Sequence, residues 1–273
     1  MTGSTSDAED IVQEAYLRWH KANADEMESA EAWLVTVTTR LAIDRLRKLQ
    51  KERETYIGHW LPEPLFTQKI YTPEEQLELA SNLSLAFLAL LEKLAPTERA
   101  AFLLHDVFEI SYEEISRIIE KKEAACRQLI HRARERVRQD RTRFEVSEGK
   151  KRRLIEKFIK AVEAANEQEI ISLFAEDVTL TSDGGGKVTA ARRVIVGNHK
   201  IARLYYFLGA KGRGLFEITF EKINGETGIV TTVFGQPFSA AVFEIENEKV
   251  KAIYQVMNPE KLRSYAKKDE LLN

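Results

Sequence analysis

Apolar residues recur at helical spacing through the first half of the chain and give way to short alternating runs in its last third. Ser6-Asp7-Ala8-Glu9 has the form of a capping box, in which a serine hydroxyl and a glutamate three positions on satisfy each other's free N–H groups. It predicts a helix with Ile11, Val12, Ala15, Tyr16 and Trp19 on the inner face and Asp7, Asp10, Gln13, Glu14 and Arg18 in solvent. After a polar loop over 23–29, a long helix over about 30–51 carries Trp33, Leu34, Val37, Leu41, Ile43 and Leu46 inward and ends in Arg40, Arg45, Arg47, Lys48, Lys51 and Arg53. Thr72-Pro73-Glu74-Glu75 is a further capping box, opening a helix to about residue 93. Pro96 suits a first helical turn, where its missing N–H costs nothing, and 97–110 follows with Ala101, Phe102, Leu104, Val107 and Phe108. Ser111-Tyr112-Glu113-Glu114 caps a short helix facing inward through Ile115, Ile118 and Ile119. The polar turn Glu120-Lys121-Lys122 leads to a third helix whose inner stripe is Cys126, Leu129, Ile130, Ala133 and Val137. A rotation of about 100° per residue puts Arg127, Gln128, His131 and Arg138 on its outward face.

The pattern changes after Glu145. Residues 150–165 read as an amphipathic helix with Leu154, Ile155, Phe158, Ile159 and Val162, and a second helix runs to Phe174. Strands are predicted over 178–182, 187–196, 215–223, 228–234, 238–245 and 250–256, with turns at Asn224-Gly225 and Asn247-Glu248 and a helix over 199–209. Helices followed by an antiparallel sheet make an α+β plan after an all-α first part.

Charge sharpens the picture of the helical half. Residues 117–153 hold 14 Lys and Arg against 6 Asp and Glu, a net +8 in a chain whose total is −2. A basic helix after a helix-turn-helix suits a polyanion, and Arg and Gln have the geometry to read guanine and adenine edges in a major groove. A solvated basic helix laced with ion pairs is the plainer reading of the same segment. The single cysteine, Cys126, excludes an intramolecular disulfide and a cysteine-based zinc finger, and its place in the apolar stripe favours packing over redox chemistry. No apolar run is long enough to span a membrane, and the first residues lack the parts of a signal peptide, so a cytoplasmic protein without a membrane partner is expected.

Asp7-Ala8-Glu9-Asp10-Ile11-Val12-Gln13-Glu14-Ala15-Tyr16-Leu17-Arg18 and the run from Ala32-Trp33-Leu34 to Asp44-Arg45-Leu46-Arg47 resemble the sigma-2 domain of extracytoplasmic-function (ECF) sigma factors. Ser111-Tyr112-Glu113-Glu114-Ile115 together with Cys126-Arg127-Gln128-Leu129-Ile130-His131-Arg132-Ala133-Arg134 resembles their sigma-4 domain. The resemblance implies that Asp7, Asp10, Gln13 and Glu14 face RNA polymerase core. It implies that Trp33, Thr36, Thr39, Arg40, Asp44 and Arg45 lie near the melted minus-ten strand of promoter DNA, where an aromatic and cationic surface suits unstacked bases. Arg127, Gln128 and His131 then fall on the minus-thirty-five element, with Arg132, Arg134 and Arg138 on phosphates. The family has a further helix before the Asp7 block, and Met1-Thr2-Gly3-Ser4 resembles its end, so a shortened sigma-2 domain is expected, from a misassigned start or a truncation. The turn at Glu120-Lys121-Lys122 also lacks the family's common Gly and Ser.

The last third resembles the SnoaL-like (nuclear transport factor 2-like) cone. With Trp60-Leu61-Pro62-Glu63-Pro64, Asp183-Gly184-Gly185-Gly186-Lys187 and Asn258-Pro259-Glu260-Lys261-Leu262, the whole chain resembles the ECF group carrying a fused SnoaL-like extension. Pro62 and Pro64 stiffen the linker, and the apolar Trp60 and Leu61 beside them are expected to dock, Trp60 as the anchor. The glycine run lacks the rest of a phosphate-binding loop, so a close approach between backbones is the better reading. The expected domains are sigma-2 over 1–53, a linker over 54–72, sigma-4 over 73–145 and a regulatory extension over 146–273. The expected protein is a transcription initiation factor regulated in cis, not an enzyme, without metal or cofactor, and monomeric when free. Whether the cone holds a small ligand stays open. His199 and Asp183 are its only acid/base candidates, and a ligand-binding or enzymatic cone fused to a generic DNA-binding module is the alternative.

Overall fold

The computed structural model describes residues 1–22, 29–66, 84–140 and 147–270. The chain forms two compact units, one from Met1–Thr55 with Leu88–Arg141 and the other from Tyr56–Phe87 with Thr142–Asn273. The helix expected from Thr72-Pro73-Glu74-Glu75 lies outside the described residues, apart from α3 (Leu85–Leu91) at its far end.

In the first unit, α1 (Thr5–Lys21) begins earlier than expected, with the Ser4 hydroxyl accepting from the Asp7 N–H. The start shifts because Ser4, with extended backbone angles, supplies the cap, leaving Ser6 inside the first turn. The inward side is also corrected. Asp7 and Ala15 are buried, whereas Val12 and Tyr16 stand in solvent. Helix α2 (Ala30–Arg53) is capped by Ser29 and buries Thr39, Ala42, Ile43, Leu46 and Leu49. Helix α4 (Pro96–Asp106) starts at Pro96, as expected, and stops four residues short of the expected end. Glu109 takes a left-handed φ of 55°. The Phe108 and Ile110 N–H groups turn back to the Leu103 and Leu104 carbonyls. That turn points Phe108 outward, 66% exposed, where an inward position was expected.

Helix α5 (Tyr112–Ile118) opens with the Ser111/Glu114 capping box. The two Ser111 groups that reach Glu114 hold its carboxyl below the usual carboxylate range. Helix α6 (Glu123–Asp140) completes a helix-turn-helix, and its Cys126, Leu129 and Ile130 join Ala100, Ala101, Leu104, Ile115, Ile118 and Ile119 in one core that also receives Ile43 of α2.

The second unit is α+β. Helices α7 (Glu148–Glu163) and α8 (Glu167–Leu173) precede β1 (Phe174–Asp183), β2 (Ile195–Val196), α9 (Asn198–Lys211), β3 (Phe216–Ile223), β4 (Glu226–Val233), β5 (Gln236–Glu246) and β6 (Lys249–Val256). A 3₁₀ turn at Pro259–Leu262 and α10 (Arg263–Glu270) follow. Among the described residues the sheet order is β2-β1-β6-β5-β4-β3, with β1 and β6 parallel and the other neighbours antiparallel. Phe158 of α7 is the centre of the core, its ring 4.9 Å from Tyr205 and 5.6 Å from both Phe174 and Phe243. Aromatic groups bury much apolar area, and edge-to-face pairs add to it.

Two strand expectations are corrected. Only Ile195–Val196 of 187–196 is strand, because Gly184 to Lys187 turn back on themselves and β1 finds β2 just at Thr179 and Leu180. Strand β4 ends at Val233, since Phe234 and Gly235 both take positive φ and make the hairpin turn. Phe234 is 85% exposed there.

Candidate functional site

The outward face of α6 follows the helical rotation read from the sequence. Arg127, Gln128 and His131 are exposed opposite the buried Cys126, Ile130 and Ala133. Arg127 donates to Glu123 on its own helix at 2.9 Å, and its guanidinium lies 5.2 Å from the centre of the Tyr112 ring. The later cations lean on α4 instead. Arg134 grips Asp106 through two nitrogens at 2.9 and 2.6 Å, Arg136 reaches Glu98 at 2.5 Å and Arg132 lies 3.5 Å from Glu98. The Arg138 side chain lies outside the described residues.

Along α2, Trp33 is half-buried with its ring 5.4 Å from Trp19, Thr36 donates to the Ala32 carbonyl at 2.8 Å, and Asp44 is exposed and pairs with Arg47 at 2.9 Å. Thr39 is buried. Arg40 is engaged with the helix-turn-helix. Its Nε donates to the Ile118 carbonyl at 2.9 Å and its Nη2 to the Arg117 carbonyl at 3.0 Å, while Nη1 pairs with Glu120 at 3.0 Å. These are the last carbonyls of α5, the natural seat of a cation. Arg45 donates to the buried Asp7 at 2.7 Å, which brings together two residues expected on separate surfaces. Asp10 and Gln13 are exposed, and Glu14 accepts from Arg18 at 2.8 Å.

A second constellation is built in the α+β unit around Asp183, which is 0% exposed. Its Oδ1 accepts from the Tyr56 hydroxyl at 2.5 Å and from the Gly185 N–H at 3.1 Å. Its Oδ2 accepts from the Leu61 N–H at 2.8 Å and from Lys261 Nζ at 2.7 Å. Lys261 also donates to the Leu61 carbonyl and sits 3.9 Å above the Trp60 ring. The Asn258 amide donates to the Tyr56 oxygen at 3.1 Å, while the Met257 and Asn258 N–H groups cap the Asp183 carbonyl. Burial, then the Asp183 carboxylate, push the Tyr56 hydroxyl above its usual range.

The three short motifs thus meet at Asp183, joined by Tyr56, a residue sequence reasoning left without a role. No local pattern marks it, because its partners lie far along the chain. Leu61 is buried at 2% exposed, with Pro62 and Pro64 also buried; Trp60 and Glu63 are half-buried. Trp60 packs under Lys261, and the neighbouring Leu61 is buried beside it. Beyond it, the Leu65 N–H donates to Asn224 Oδ1 at 3.1 Å and Phe66 bridges to Ile223, so the segment meets the end of β3.

The glycines explain the closeness. Gly185 and Gly186 have φ of 59° and 70°. A Cβ on Gly185 would overlap the Asn258 amide, and one on Gly186 would come within 2.9 Å of Ile57. Lys187 pairs with Glu260, holding that carboxyl below its usual range. Pro259 opens the 3₁₀ turn and Leu262 is buried.

The chain matches the Sigma-70 region 2 family over residues 1–52 and the Sigma-70, region 4 family over residues 84–137. It is 35% identical over 272 residues to the ECF RNA polymerase sigma factor SigJ of Mycobacterium tuberculosis, covering 96% of this chain and 87% of that protein. The probable ECF RNA polymerase sigma factor SigI of the same organism is 30% identical over 198 residues, 72% of this chain and 66% of that one. The crystal structure of M. tuberculosis SigJ superposes with a TM-score of 0.76 at 33% identity, over 96% of this chain and 91% of that chain. With its helix-turn-helix, its basic outward face and a C-terminal α+β extension, this chain belongs to the ECF sigma factors, which bind RNA polymerase core and direct promoter recognition.

Proposed function

We propose that the C-terminal extension regulates this sigma factor in cis, by holding the linker after α2 in a closed strap. The observation that carries this reading is Asp183, whose buried carboxylate is met by Tyr56, Leu61, Gly185 and Lys261. A covalently attached surface acts at high effective concentration, so a small contact suffices to restrain a neighbouring segment. The division into sigma-2 (1–53), linker (54–72), sigma-4 (73–145) and regulatory extension (146–273) belongs to the same reading, with the strap formed by residues 56–66.

In the reading favoured here, Arg127, Gln128 and His131 read the minus-thirty-five element and Arg132, Arg134 and Arg138 hold phosphates. Trp33, Thr36, Thr39, Arg40, Asp44 and Arg45 serve the minus-ten strand, and Asp10, Gln13 and Glu14 face the polymerase core with Asp7. Arg40, Thr39 and Asp7 are engaged or buried in the present arrangement. That supports a restrained state from which DNA reading requires their release. The use of Asp183 as a structural hub and the aromatic filling of the extension by Phe158, Phe174, Tyr205 and Phe243 favour a docking role over catalysis or a small ligand. The free chain is a cytoplasmic monomer in this reading. Among the described residues no helix is long and apolar enough to cross a membrane.

The test is promoter-directed transcription with core polymerase, comparing the wild type with Asp183→Asn and Lys261→Met at matched concentrations. Altered output with unchanged core binding supports regulation in cis. Wild-type output from both variants refutes it.

A further inference from the structure

Between Asp183 and Glu217 the chain has no acidic residue, yet it carries Lys187, Arg192, Arg193, Lys200, Arg203, Lys211 and Arg213. Elsewhere in the α+β unit many cations are answered by carboxylates, as in Lys150–Glu248, Lys151–Glu226, Arg152–Glu156, Lys222–Glu148 and Lys251–Asp177, and those that are not, such as Lys157, Lys160 and Lys249, do not share one acid-free segment. In the acid-free segment Lys187 alone has a carboxylate partner among the described residues. Arg192, Arg193, Lys200, Arg203, Lys211 and Arg213 are all exposed.

Helix α9 orders these charges. Its buried side is Ile201, Ala202, Tyr205 and Gly209. Lys200, Arg203, Phe207 and Lys211 follow one another in steps of three and four, so they form one outward stripe. Phe207 is 46% exposed, with the Arg203 guanidinium 5.8 Å from its ring centre. At 1.5 Å per residue the stripe from Lys200 to Lys211 is about 16 Å long. Duplex DNA presents phosphates about every 3.4 Å along each strand, so several fall within that length. Cations without internal partners give up no existing pair on meeting phosphate, and the released counterions make the contact favourable. An anionic membrane would want a broad apolar face to bury, and the exposed large apolar residues of α9 are only Phe207 and Leu208. Promoter DNA is already held by the same chain, which raises its local concentration at this helix.

We infer that the outward stripe Lys200, Arg203 and Lys211 of the extension, continued by Arg213, is a sequence-independent contact for the phosphate backbone of duplex DNA. It rests on the family assignment alone, not on the regulatory reading of the strap.

The full-length chain and its K200Q/R203Q/K211Q variant are titrated with a promoter duplex and a scrambled duplex across a salt series. The variant is expected to lose affinity for both duplexes alike. The slope of log affinity against log salt should shrink by about 2–3, near 0.9 for each phosphate contact removed. A K157Q/K160Q/K249Q variant removes equal charge from exposed sites elsewhere in the same unit and should keep the wild-type slope, as should K200R/K211R. Circular dichroism confirms that each variant is folded. An unchanged slope in the first variant overturns the inference, and so does an equal loss in the K157Q/K160Q/K249Q variant. Retained DNA binding together with lost adsorption to phosphatidylglycerol vesicles would assign the stripe to lipid and overturn it too.

Discussion

Tyr56 and Asp183 stand 127 positions apart in the chain and share a 2.5 Å hydrogen bond, the phenol donating to a carboxylate with no exposed surface. Around this bond the linker, the glycine loop and the 3₁₀ turn become one assembly. Its stability therefore rests on a few polar atoms that must all be partnered.

Removing the carboxylate should be costly. Asp183→Ala leaves Lys261 without its carboxylate in a mostly buried site, and losing one partner of such a pair costs about 3–5 kcal/mol. Urea unfolding should show a lower midpoint. Asp183→Ala combined with Lys261→Met should recover part of the loss. A double variant no better than the single one would show that the ion pair is not the source.

Gly185→Ala tests the close approach. A left-handed φ costs an L-residue about 1–2 kcal/mol, and the added methyl displaces the Asn258 amide from Tyr56. Proteolytic nicking within residues 56–66 should speed up. Gly149→Ala is the comparison, since nothing lies within 4 Å of its Cβ position, and it should leave the nicking rate unchanged.

Alkaline pH should open the strap. The hydroxyl of Tyr56 is raised above its ordinary value of about 10, by burial first and by Asp183 second. The folded state thus holds that proton more tightly than the unfolded one. The stabilisation is complete below about pH 10 and is lost as pH rises toward the folded value. An ultraviolet titration should show two late-ionising tyrosines, Tyr56 and the buried Tyr205, of which Tyr56→Phe leaves one. Two remaining in that variant would show that Tyr56 is not among them.

Arg40 offers a test within the helical unit. Its guanidinium spans two carbonyls at the end of α5. A lysine keeps the charge but not the planar fork, so Arg40→Lys should speed amide exchange around residues 115–119. It should cost about 1 kcal/mol, since the group is half in solvent. Exchange identical to wild type would mean that apolar packing alone holds α2 against the helix-turn-helix.

For base reading, Arg127→Ala should cost about 1–3 kcal/mol at the minus-thirty-five element and relax preference at one base pair. A panel of substituted duplexes reads this out. Equal weakening on every duplex would make Arg127 a phosphate contact.

Much of this architecture was legible where the signal is local. Ser111 and Glu114 lie three residues apart, and the stripe from Cys126 to Val137 repeats at helical spacing, so both could be read directly. The Asn224-Gly225 and Asn247-Glu248 turns were equally plain. What escaped depends on distant partners. Asp7 reads as a solvent carboxylate until Arg45, 38 positions away, is brought beside it. Tyr56 has no neighbour that announces it. Residues 187–196 were read as one strand, but β1 offers a ladder only to Ile195 and Val196, so the rest stays irregular. Phe234 was read as the end of a strand because an aromatic seldom accepts a left-handed turn.

The order in which the hub's partners occur has a kinetic consequence. Tyr56 and Leu61 leave the ribosome long before Asp183, and Lys261 comes 200 positions after Leu61. Domains fold largely as they emerge, from the N-terminus onward. The helical half is therefore complete and unstrapped while the sheet is still being made. Every newly made molecule passes through an interval in which its linker is unheld, and any arrest of synthesis before Asn258 leaves it so.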